Sequence, residues 1–419
     1  MQREVVITGI GIVSPIGIGR QQFWGSLREG RSGVRPLTNF DPTNLPAPFG
    51  GEISDFDAKL YVRPRKSLKV MSWDIQLGFA AADMAYHDAE LSPDSIDPER
   101  LGVVFGSDLI YGDLLELSLP YRSCIVDGRF DYARWGTQVM QDLFPLWMLK
   151  YLPNMPACHI GIAHDSRGPN NSIVLGEVSS LVAIAEAARV IERGHADVMI
   201  TGGTGSRLNI TGLAYRGPHW LSRREERPDA ASRPFDADRD GMVNGEGSGS
   251  FILEELRHAE GRGATILGRV LGHASSFEPR VKGRPPQGTA IRSAIGGALR
   301  SAGLQPSDLG HVNAHGLSTV EHDRAEAQAI HDTLGDVPVT ALKSFFGNAG
   351  PGGGAIEMAA SVLAFGAGEV PRTLNYERPD SECPINVIHG SPAPLGKPVA
   401  MILSQATMGQ AAAMVIAGP

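Results

Sequence analysis

Short apolar runs alternate with helix-like patterns along most of this chain. The first such run, residues 4–9, predicts a buried strand, and a glycine-rich turn at Gly9 and Gly11 then leads into a helix at residues 21–29. A Gly-x-Gly pair after a strand is also half of a dinucleotide-binding fingerprint, but Ser14 stands where the third glycine belongs. We therefore interpret the glycines as a tight strand exit.

The alternation continues to the end of the chain. Further buried strands are predicted at residues 101–106, 197–202, 250–253, 264–271, 311–315, 399–403 and 413–417. Further helices are predicted at residues 72–90, 288–302, 321–334 and 355–365. This order predicts an α/β protein with a mostly parallel, covered sheet, and its repetition predicts two similar halves that meet face to face.

Residues 107–150 interrupt the alternation and are rich in aromatic side chains. Their pattern predicts irregular structure. Such a stretch either covers a pocket or a subunit interface, or is a plain surface excursion, and the pattern favours neither.

One strand-to-helix turn carries a charged residue. Residues 172–175 predict a buried strand, Gly176 breaks it, and a helix then runs to a C-cap at Gly194. Glu177 lies on the turn. Enzymes often place a nucleophile at such a turn, because the unpaired N–H groups of the helix N-terminus stabilise an anion. Here the turn carries a carboxylate instead.

Composition narrows the class of protein. The chain has 419 residues, 42% of them hydrophobic and 20% charged, which is typical of a globular enzyme. The net charge of −8, without a basic stripe, argues against a nucleic-acid partner. We expect no membrane span and no signal peptide. The widely spaced Cys124, Cys158 and Cys383 predict no disulfide or metal site and favour a cytoplasmic location.

A calcium loop is considered for residues 233–249, where Asp236, Asp238 and Asp240 match the start of an EF-hand. The twelfth loop position is Gly247 rather than a bidentate glutamate, and no helix pattern follows. We interpret the segment as a polar loop that leads into a strand.

Several ordered motifs together resemble one family. They are VVITGIGIVSPIG at residues 5–17, PNMPACHIGI at 153–162, RPFDADRDGMVNGEGSG at 233–249, VNAHGLST at 312–319 and LKSFFGNAGPGGGAIE at 342–357. Over essentially its full length the chain resembles the β-ketoacyl-acyl-carrier-protein synthases, the elongating condensing enzymes of the thiolase fold. This resemblance implies a five-layered αβαβα architecture built from two similar halves, residues 1–255 and 256–419.

The resemblance also assigns roles, and two of them fall on altered residues. In the family, a cysteine on the strand-to-helix turn takes the acyl chain, and two histidines help decarboxylate malonyl carrier protein. The cysteine position here is Glu177, the first histidine is His315 and the second is Asn348. Lys343 and Glu357 stand at the positions of the supporting lysine and glutamate. The family's C-terminal gating loop, Gly-Phe-Gly-Gly, is not recognisable in residues 404–410.

These substitutions change the expected chemistry. A carboxylate is a much weaker nucleophile than a thiolate, so ordinary acyl transfer through Glu177 is not expected. His315 and the amide of Asn348 can still donate hydrogen bonds to a thioester carbonyl and its enolate. Two simpler interpretations stay open: His315 as a satisfied core histidine, and Asn348 as a turn residue beside Gly347.

Glu177 itself has three interpretations. It is a structural carboxylate near the helix N-terminus that plugs the vacant acyl site; it is a general acid or base set by burial and Lys343; or it imitates the family members with glutamine here, which decarboxylate malonyl carrier protein or serve as chain-length factors. An ionised glutamate lacks the amide donor of glutamine and would repel a malonyl carboxylate.

We therefore expect a synthase-like protein of fatty acid or polyketide biosynthesis that acts on acyl carrier protein thioesters without normal condensation. Decarboxylation of malonyl carrier protein and a chain-length-factor-like role are the two expected functions. The alternatives are altered condensing chemistry with Glu177 as base, and a catalytically inactive partner subunit. The resemblance implies acyl carrier protein as partner, a substrate on its phosphopantetheine, no other cofactor or metal, and a homodimer or a heterodimer with a cysteine-bearing synthase.

Overall fold

The computed structural model describes residues 3–43, 45–215, 218–281 and 283–419. In these ranges a twelve-stranded mixed sheet is flanked by helices. The strands of this sheet and of three small two-stranded sheets are β1 (Val5–Ser14), β2 (Gly17–Ile18), β3 (Val34–Pro36), β4 (Phe49–Gly51), β5 (Leu101–Ser107), β6 (Ile125–Val126), β7 (Arg129–Phe130), β8 (Asn170–Val174), β9 (Val198–Ser206), β10 (Glu246–Glu255), β11 (Gly268–Phe277), β12 (His311–Asn313), β13 (Pro338–Thr340), β14 (Glu369–Val370), β15 (Asn386–Val387), β16 (Ala393–Pro394), β17 (Val399–Gln405) and β18 (Gln410–Ala417). The α-helices are α1 (Arg20–Glu29), α2 (Trp73–Asp88), α3 (Leu114–Ser123), α4 (Tyr132–Asp142), α5 (Met155–Ala163), α6 (Ser179–Glu192), α7 (Ile210–Tyr215), α8 (Leu256–Gly261), α9 (Thr289–Ala302), α10 (Val320–Leu334), α11 (Lys343–Phe346) and α12 (Gly353–Ala367).

The strand order repeats on the two sides of the sheet. From the centre outward, β1, β10, β9, β5 and β8 pair first antiparallel, again antiparallel, and then parallel twice. On the other side, β11, β18, β17, β12 and β13 pair in the same sequence of directions. The two sides join where β1 runs antiparallel to β11. The predicted pair of similar halves is therefore present, while the boundary between residues 255 and 256 stays a prediction.

The expectation of a mostly parallel sheet is wrong for its centre. Antiparallel pairs occupy the middle, and parallel pairs lie toward the two ends. The reason is visible at β17 and β18, which are joined directly by the short turn at residues 406–409. Antiparallel strands need only a tight turn between them, whereas parallel strands need a crossover.

Helices α6 and α12 form the central layer of the molecule. Helix α6 contacts β5 and β9 on one side and β11 and β18 on the other, and α12 also contacts strands of both halves. Helices α2 and α5 cover the outer face of the first half, and α9 and α10 cover that of the second. The strands of each half form one β layer, and α6 and α12 lie between these two layers. The result is five layers in the order α, β, α, β, α.

Gly9 and Gly11 lie inside β1 rather than in the predicted turn. A Cβ atom on Gly11 would lie 1.8 Å from the carbonyl oxygen of Ala81, and one on Gly9 would lie 2.2 Å from that of Ala85. These glycines are therefore required by the close approach of α2 to the strand, not by backbone conformation. The sequence pattern does not distinguish the two causes.

Residues 107–150 are not irregular. They contain α3, the hairpin of β6 and β7, and α4. The two helices are joined through an aromatic cluster in which the rings of Tyr121, Phe130 and Trp135 lie 5.1–5.9 Å apart. Large side chains of the segment stay exposed, among them Leu115 (79%), Met140 (79%) and Tyr132 (84%), although the Tyr132 ring lies 4.9 Å from that of Phe130.

Residues 172–175, predicted as a buried strand, lie at the edge of the sheet. Strand β8 is the last in the strand order, paired to β5. Val174 is 43% exposed and Leu175 is 39% exposed. The apolar residues do form a strand, as predicted. This strand is the last in the sheet and has a neighbour on one side only, so some of its apolar side chains remain exposed.

Replacing Gly11 by alanine tests the contact between β1 and α2. We expect Gly11→Ala to lower the free energy of unfolding by about 3 kcal/mol. The new methyl group would clash with the backbone carbonyl of Ala81, which belongs to a buried helix and cannot move aside. Denaturant unfolding measures the change. Gly25→Ala in α1 is the matched control: its Cβ atom meets nothing within 4 Å, so the helix should gain up to about 1 kcal/mol. Equal effects of the two substitutions would contradict this account.

Candidate active site

Glu177 lies on the predicted strand-to-helix turn. A single 3-10 turn, Gly176–Val178, joins the end of β8 to α6. Gly176 adopts a left-handed conformation with φ of 63°, which a side chain would strain. Ser404 at the end of β17 donates a hydrogen bond to the carbonyl oxygen of Glu177 at 2.9 Å. The turn is thus held between the two halves, with its charged side chain facing inward.

The carboxylate of Glu177 is paired with Arg207. Arg207 Nη2 donates to Glu177 Oε1 at 2.6 Å, and the two side chains are only 7% and 6% exposed. Asn348 Nδ2 lies 3.4 Å from the same carboxylate oxygen. The acyl-acceptor position of the resemblance is therefore filled by a buried ion pair.

Arg207 was missed by the sequence analysis because it belongs to none of the quoted motifs. It directly follows β9, which runs parallel to β5, and β5 runs parallel to β8. The carboxyl ends of parallel strands lie at one edge of a sheet, where ligands bind. A charged residue five positions after the predicted strand at residues 197–202 was the available signal.

His315, Lys343 and Glu357 form a second group of buried residues. The Lys343 ammonium lies 3.1 Å from Nδ1 of His315 and donates to Glu357 Oε1 at 2.5 Å. Because an ammonium can only donate, Nδ1 accepts and the ring hydrogen is carried by Nε2. Among the described residues, Nε2 of His315 has no hydrogen-bond partner. The group therefore presents one neutral, buried N–H donor.

Glu326 on α10 positions His315. Its two carboxyl oxygens accept from the backbone N–H groups of His315 and Gly316, at 2.7 and 2.9 Å. Burial raises the pKa of Glu326 to about 8. No motif of the sequence singles out Glu326, although it lies eleven positions after His315 on a predicted helix.

Burial dominates the ionisation of the site. It holds the pKa of His315 well below 6.5, and the nearby charges of Lys343, His322 and Arg207 lower it further. The pKa of Glu357 is raised to about 7 by burial, although Lys343 opposes the shift. His315 is accordingly neutral at physiological pH, and Arg207 links its group electrostatically to Glu177.

Asn348 lies at the turn position that one of its two interpretations expects, while its role as a donor to a thioester stays a prediction. It follows Gly347, whose φ is 72°, so it lies just after a turn. Its Oδ1 accepts from the backbone N–H of Gly350 at 3.1 Å, which orients the amide so that Nδ2 faces Glu177. The structure thus brings Glu177 into contact with Asn348, and separately joins His315, Lys343 and Glu357.

A cavity of about 540 Å³ opens onto the ion pair. Its walls come from the residues that follow β5, from β8 and its turn, and from the turn between β17 and β18, where the resemblance places the gating loop. The lining includes Tyr111, Trp220, Met242 and Met408 beside Glu177 and Arg207. Asp108 and His219 also line the cavity. Mostly apolar walls with a few polar groups are typical of a site that takes a small organic group.

The acidic segment considered for calcium serves the fold. Asp236 accepts hydrogen bonds from the backbone N–H groups of Asp238, Glu377 and Arg378, and pairs with Arg233. Across the ranges given above, no cluster of three or more His, Cys, Asp or Glu residues is arranged to hold a metal ion. In the same ranges, no helix is both long enough and apolar enough to span a membrane.

Comparison with known proteins identifies the family. The model of the β-ketoacyl synthase N-terminal domain matches residues 2–259, and that of the C-terminal domain matches residues 267–377. The chain belongs to the β-ketoacyl synthase family. It is 36% identical to 3-oxoacyl-(acyl-carrier-protein) synthase 2 of Synechocystis sp., over 93% of this chain and 92% of that protein.

Two solved structures of this family resemble the chain over 100% of both lengths. The ishigamide ketosynthase/chain length factor superposes with a TM-score of 0.88 at 26% identity. A type II polyketide synthase acyl carrier protein in complex with its ketosynthase, bound to the hexaketide, gives 0.83 at 28% identity. The predicted thiolase fold with its five αβαβα layers is confirmed. The catalytic roles of Glu177, His315, Asn348, Lys343 and Glu357 stay predictions.

The raised pKa of Glu326 makes stability depend on pH. A carboxyl group whose folded pKa lies above its unfolded value stabilises the protein at low pH, and that contribution is lost between about pH 4.5 and 8. We expect the free energy of unfolding of Glu326→Gln to fall less over this pH range than that of the unmodified protein. The difference between the two proteins should change by roughly 1 kcal/mol or more from the low-pH end to the high-pH end. Denaturant unfolding at a series of pH values measures it.

The Glu254 carboxyl is the control for that experiment. Its pKa is lowered to about 2, so Glu254→Gln should not change the slope between pH 5 and 8. A Glu326→Gln protein with the slope of the unmodified chain would show that another group causes the dependence.

Proposed function

We propose that this β-ketoacyl synthase homologue acts on acyl carrier protein thioesters of fatty acid or polyketide biosynthesis without forming an acyl-enzyme, and that it decarboxylates malonyl carrier protein. The observation that carries the proposal is the contrast between two neighbouring groups. The acyl-acceptor position holds a carboxylate paired with Arg207, whereas His315, Lys343 and Glu357 are assembled around a donor that has no partner in the described residues.

Condensation requires a nucleophile that forms a reactive thioester. Glu177 Oε1 already accepts from Arg207 and lies against Asn348, and attack by a carboxylate would give an anhydride rather than a thioester. The same engagement argues against Glu177 as a general base, because the oxygen that would take a proton is held by a guanidinium.

Decarboxylation needs only stabilisation of an enolate. The bond between the malonyl methylene and its carboxylate breaks, carbon dioxide leaves, and the electron pair moves onto the thioester oxygen as an enolate. The N–H of His315 Nε2 and the amide of Asn348 are the donors for that oxygen. The methylene carbon then takes a proton from water, giving acetyl carrier protein.

The ion pair also removes an objection to malonyl binding. An isolated Glu177 carboxylate would repel the malonyl carboxylate, but together with Arg207 it carries no net charge. The repulsion is therefore largely cancelled close to the pair. The substrate enters on the phosphopantetheine of the carrier protein, and no other cofactor is required.

Removal of the His315 imidazole should abolish most of this activity. We expect the unmodified protein to convert malonyl carrier protein into acetyl carrier protein, and His315→Ala to lower kcat by about 100- to 1000-fold, which is typical for loss of one oxyanion donor. Mass spectrometry of the carrier protein follows the reaction. His331→Ala, at an exposed position of α10, should leave the rate unchanged. Activity that survives in His315→Ala would exclude this histidine as the donor.

A second candidate function is that of a chain-length-factor-like subunit beside a cysteine-bearing synthase. It is favoured by an exposed apolar surface, which we define by Leu115, Tyr132 and Met140, and by the uncovered edge strand β8. One similar structure is a ketosynthase/chain length factor. We propose that this surface binds a second thiolase-fold subunit, either a copy of this chain or a homologue, in the cytoplasm.

Charge on the exposed surface tests that association. We expect Leu115→Glu with Met140→Glu to convert the assembled protein into monomers, because two desolvated carboxylates oppose burial of the surface. Sedimentation velocity, alone and with a cysteine-bearing homologue, measures the species present. Leu60→Glu, at a 67% exposed position outside residues 107–150, is the control and should leave association intact. Unchanged association of the double variant would place the interface elsewhere.

A further inference from the structure

Two donors converge on one buried oxygen of Glu177. Arg207 Nη2 lies 2.6 Å from Oε1, and Asn348 Nδ2 lies 3.4 Å from it. The side chain of Arg207 is 7% exposed, and Asn348 is 1% exposed. A guanidinium and an amide directed at one carboxylate oxygen, with all three side chains buried, are the elements of a strong carboxylate site.

We propose that Arg207 and Asn348 form a carboxylate-binding site in the floor of the pocket, and that Glu177 is its resident ligand. The acyl position of the family is thereby occupied by a carboxylate of the chain itself. This inference deepens the proposed function, since it names the occupant of that position. Its test measures binding rather than turnover.

The two donors are positioned by contacts that do not involve the Glu177 side chain. Asn348 is held by Gly350 N–H on its Oδ1 and by its own N–H, which donates to the carbonyl of Val243 at 2.8 Å. The backbone N–H of Arg207 donates to the carbonyl of Gly245 at 3.0 Å. A Cβ atom on Gly350 would lie 3.0 Å from Nε of Arg207, so glycine there leaves room for the guanidinium.

Burial of the Arg207 guanidinium favours a negatively charged partner beside it. An arginine removed from water and left without a negative partner is strongly destabilising, and arginine does not lose its proton in proteins. The Glu177 side chain meets this need from within the chain. If the side chain is shortened, the site should accept an external carboxylate of the size that was removed.

Glu177→Ala provides that site, because alanine lacks the CH2–COO− group whose free counterpart is acetate. We expect the Glu177→Ala protein to have a lower Tm than the unmodified protein, and acetate to raise its Tm saturably by several degrees. Acetamide, which has the same shape and no charge, should give no rise. Sodium chloride at matched ionic strength controls for screening, and the unmodified protein should not respond to acetate.

Arg207→Met in the Glu177→Ala background tests which residue holds the acetate. We expect the double variant to regain part of the lost Tm, because the buried guanidinium that faced the lost carboxylate is removed with it, and to lose its response to acetate. Three results would overturn the proposal: no acetate effect on folded Glu177→Ala, an equal effect of acetamide, or an acetate effect that persists without Arg207.

Poor recovery of Glu177→Ala would itself be informative. Refolding from denaturant in acetate should then yield more soluble protein than refolding in acetamide or sodium chloride, and equal yields would contradict the proposal. Failure of the unmodified protein to decarboxylate malonyl carrier protein would leave these binding results unchanged. The two proposals can therefore fail separately.

Discussion

The contact between α6 and α12 is the constraint on which the site depends. The N–H of Ala355 donates to Ser180 Oγ at 3.1 Å, and a Cβ atom on Gly354 would lie 3.0 Å from that hydroxyl. Glycine at residue 354 therefore lets the two helices approach closely. Glu177 precedes α6 and Glu357 lies on α12, so this contact helps to fix the separation of the two charged groups. The strands of both halves hold the central helices between them.

Two buried ion pairs face the same region with different consequences. Lys343 and Glu357 are 2% and 0% exposed and orient His315, so their charges serve to place a neutral donor. Arg207 and Glu177 close the position where the family carries its acyl group. Burial makes both pairs costly to break but adds little net stability, since desolvation offsets their attraction. Such pairs are better understood as fixing an arrangement than as stabilising the fold.

The scaffold around Glu177 agrees with that of the family. The strand order, the five layers and the motif residues around His315 and Lys343 agree with the β-ketoacyl synthase family over nearly the whole chain. Glu177, Asn348 and Arg207 contact one another, so the carboxylate on the turn lies beside both a cation and an amide donor.

The amino-acid sequence alone predicted the α/β class and most of the long elements, and the resemblance of its motifs to the family indicated five candidate site residues, whose roles stay predictions. Apolar periodicity and motif spacing are local properties, so the helices at 288–302 and 321–334 and the turn at Glu177 could be located from them. Gly9 and Gly11 were misplaced in a turn, since nothing local shows that a helix lies against the strand. Residues 107–150 were misjudged because their aromatic residues pack on one another rather than on the main core.

Only the tertiary structure shows which residues contact the Glu177 carboxylate. Thirty residues separate it from Arg207 and 171 separate it from Asn348, so no pattern along the chain joins them. The parallel strands β5, β8 and β9 and the central helices bring the three side chains together, and burial then makes each dependent on the others. The sequence shows which charged residues are present, whereas the fold determines which of them are buried together in one site.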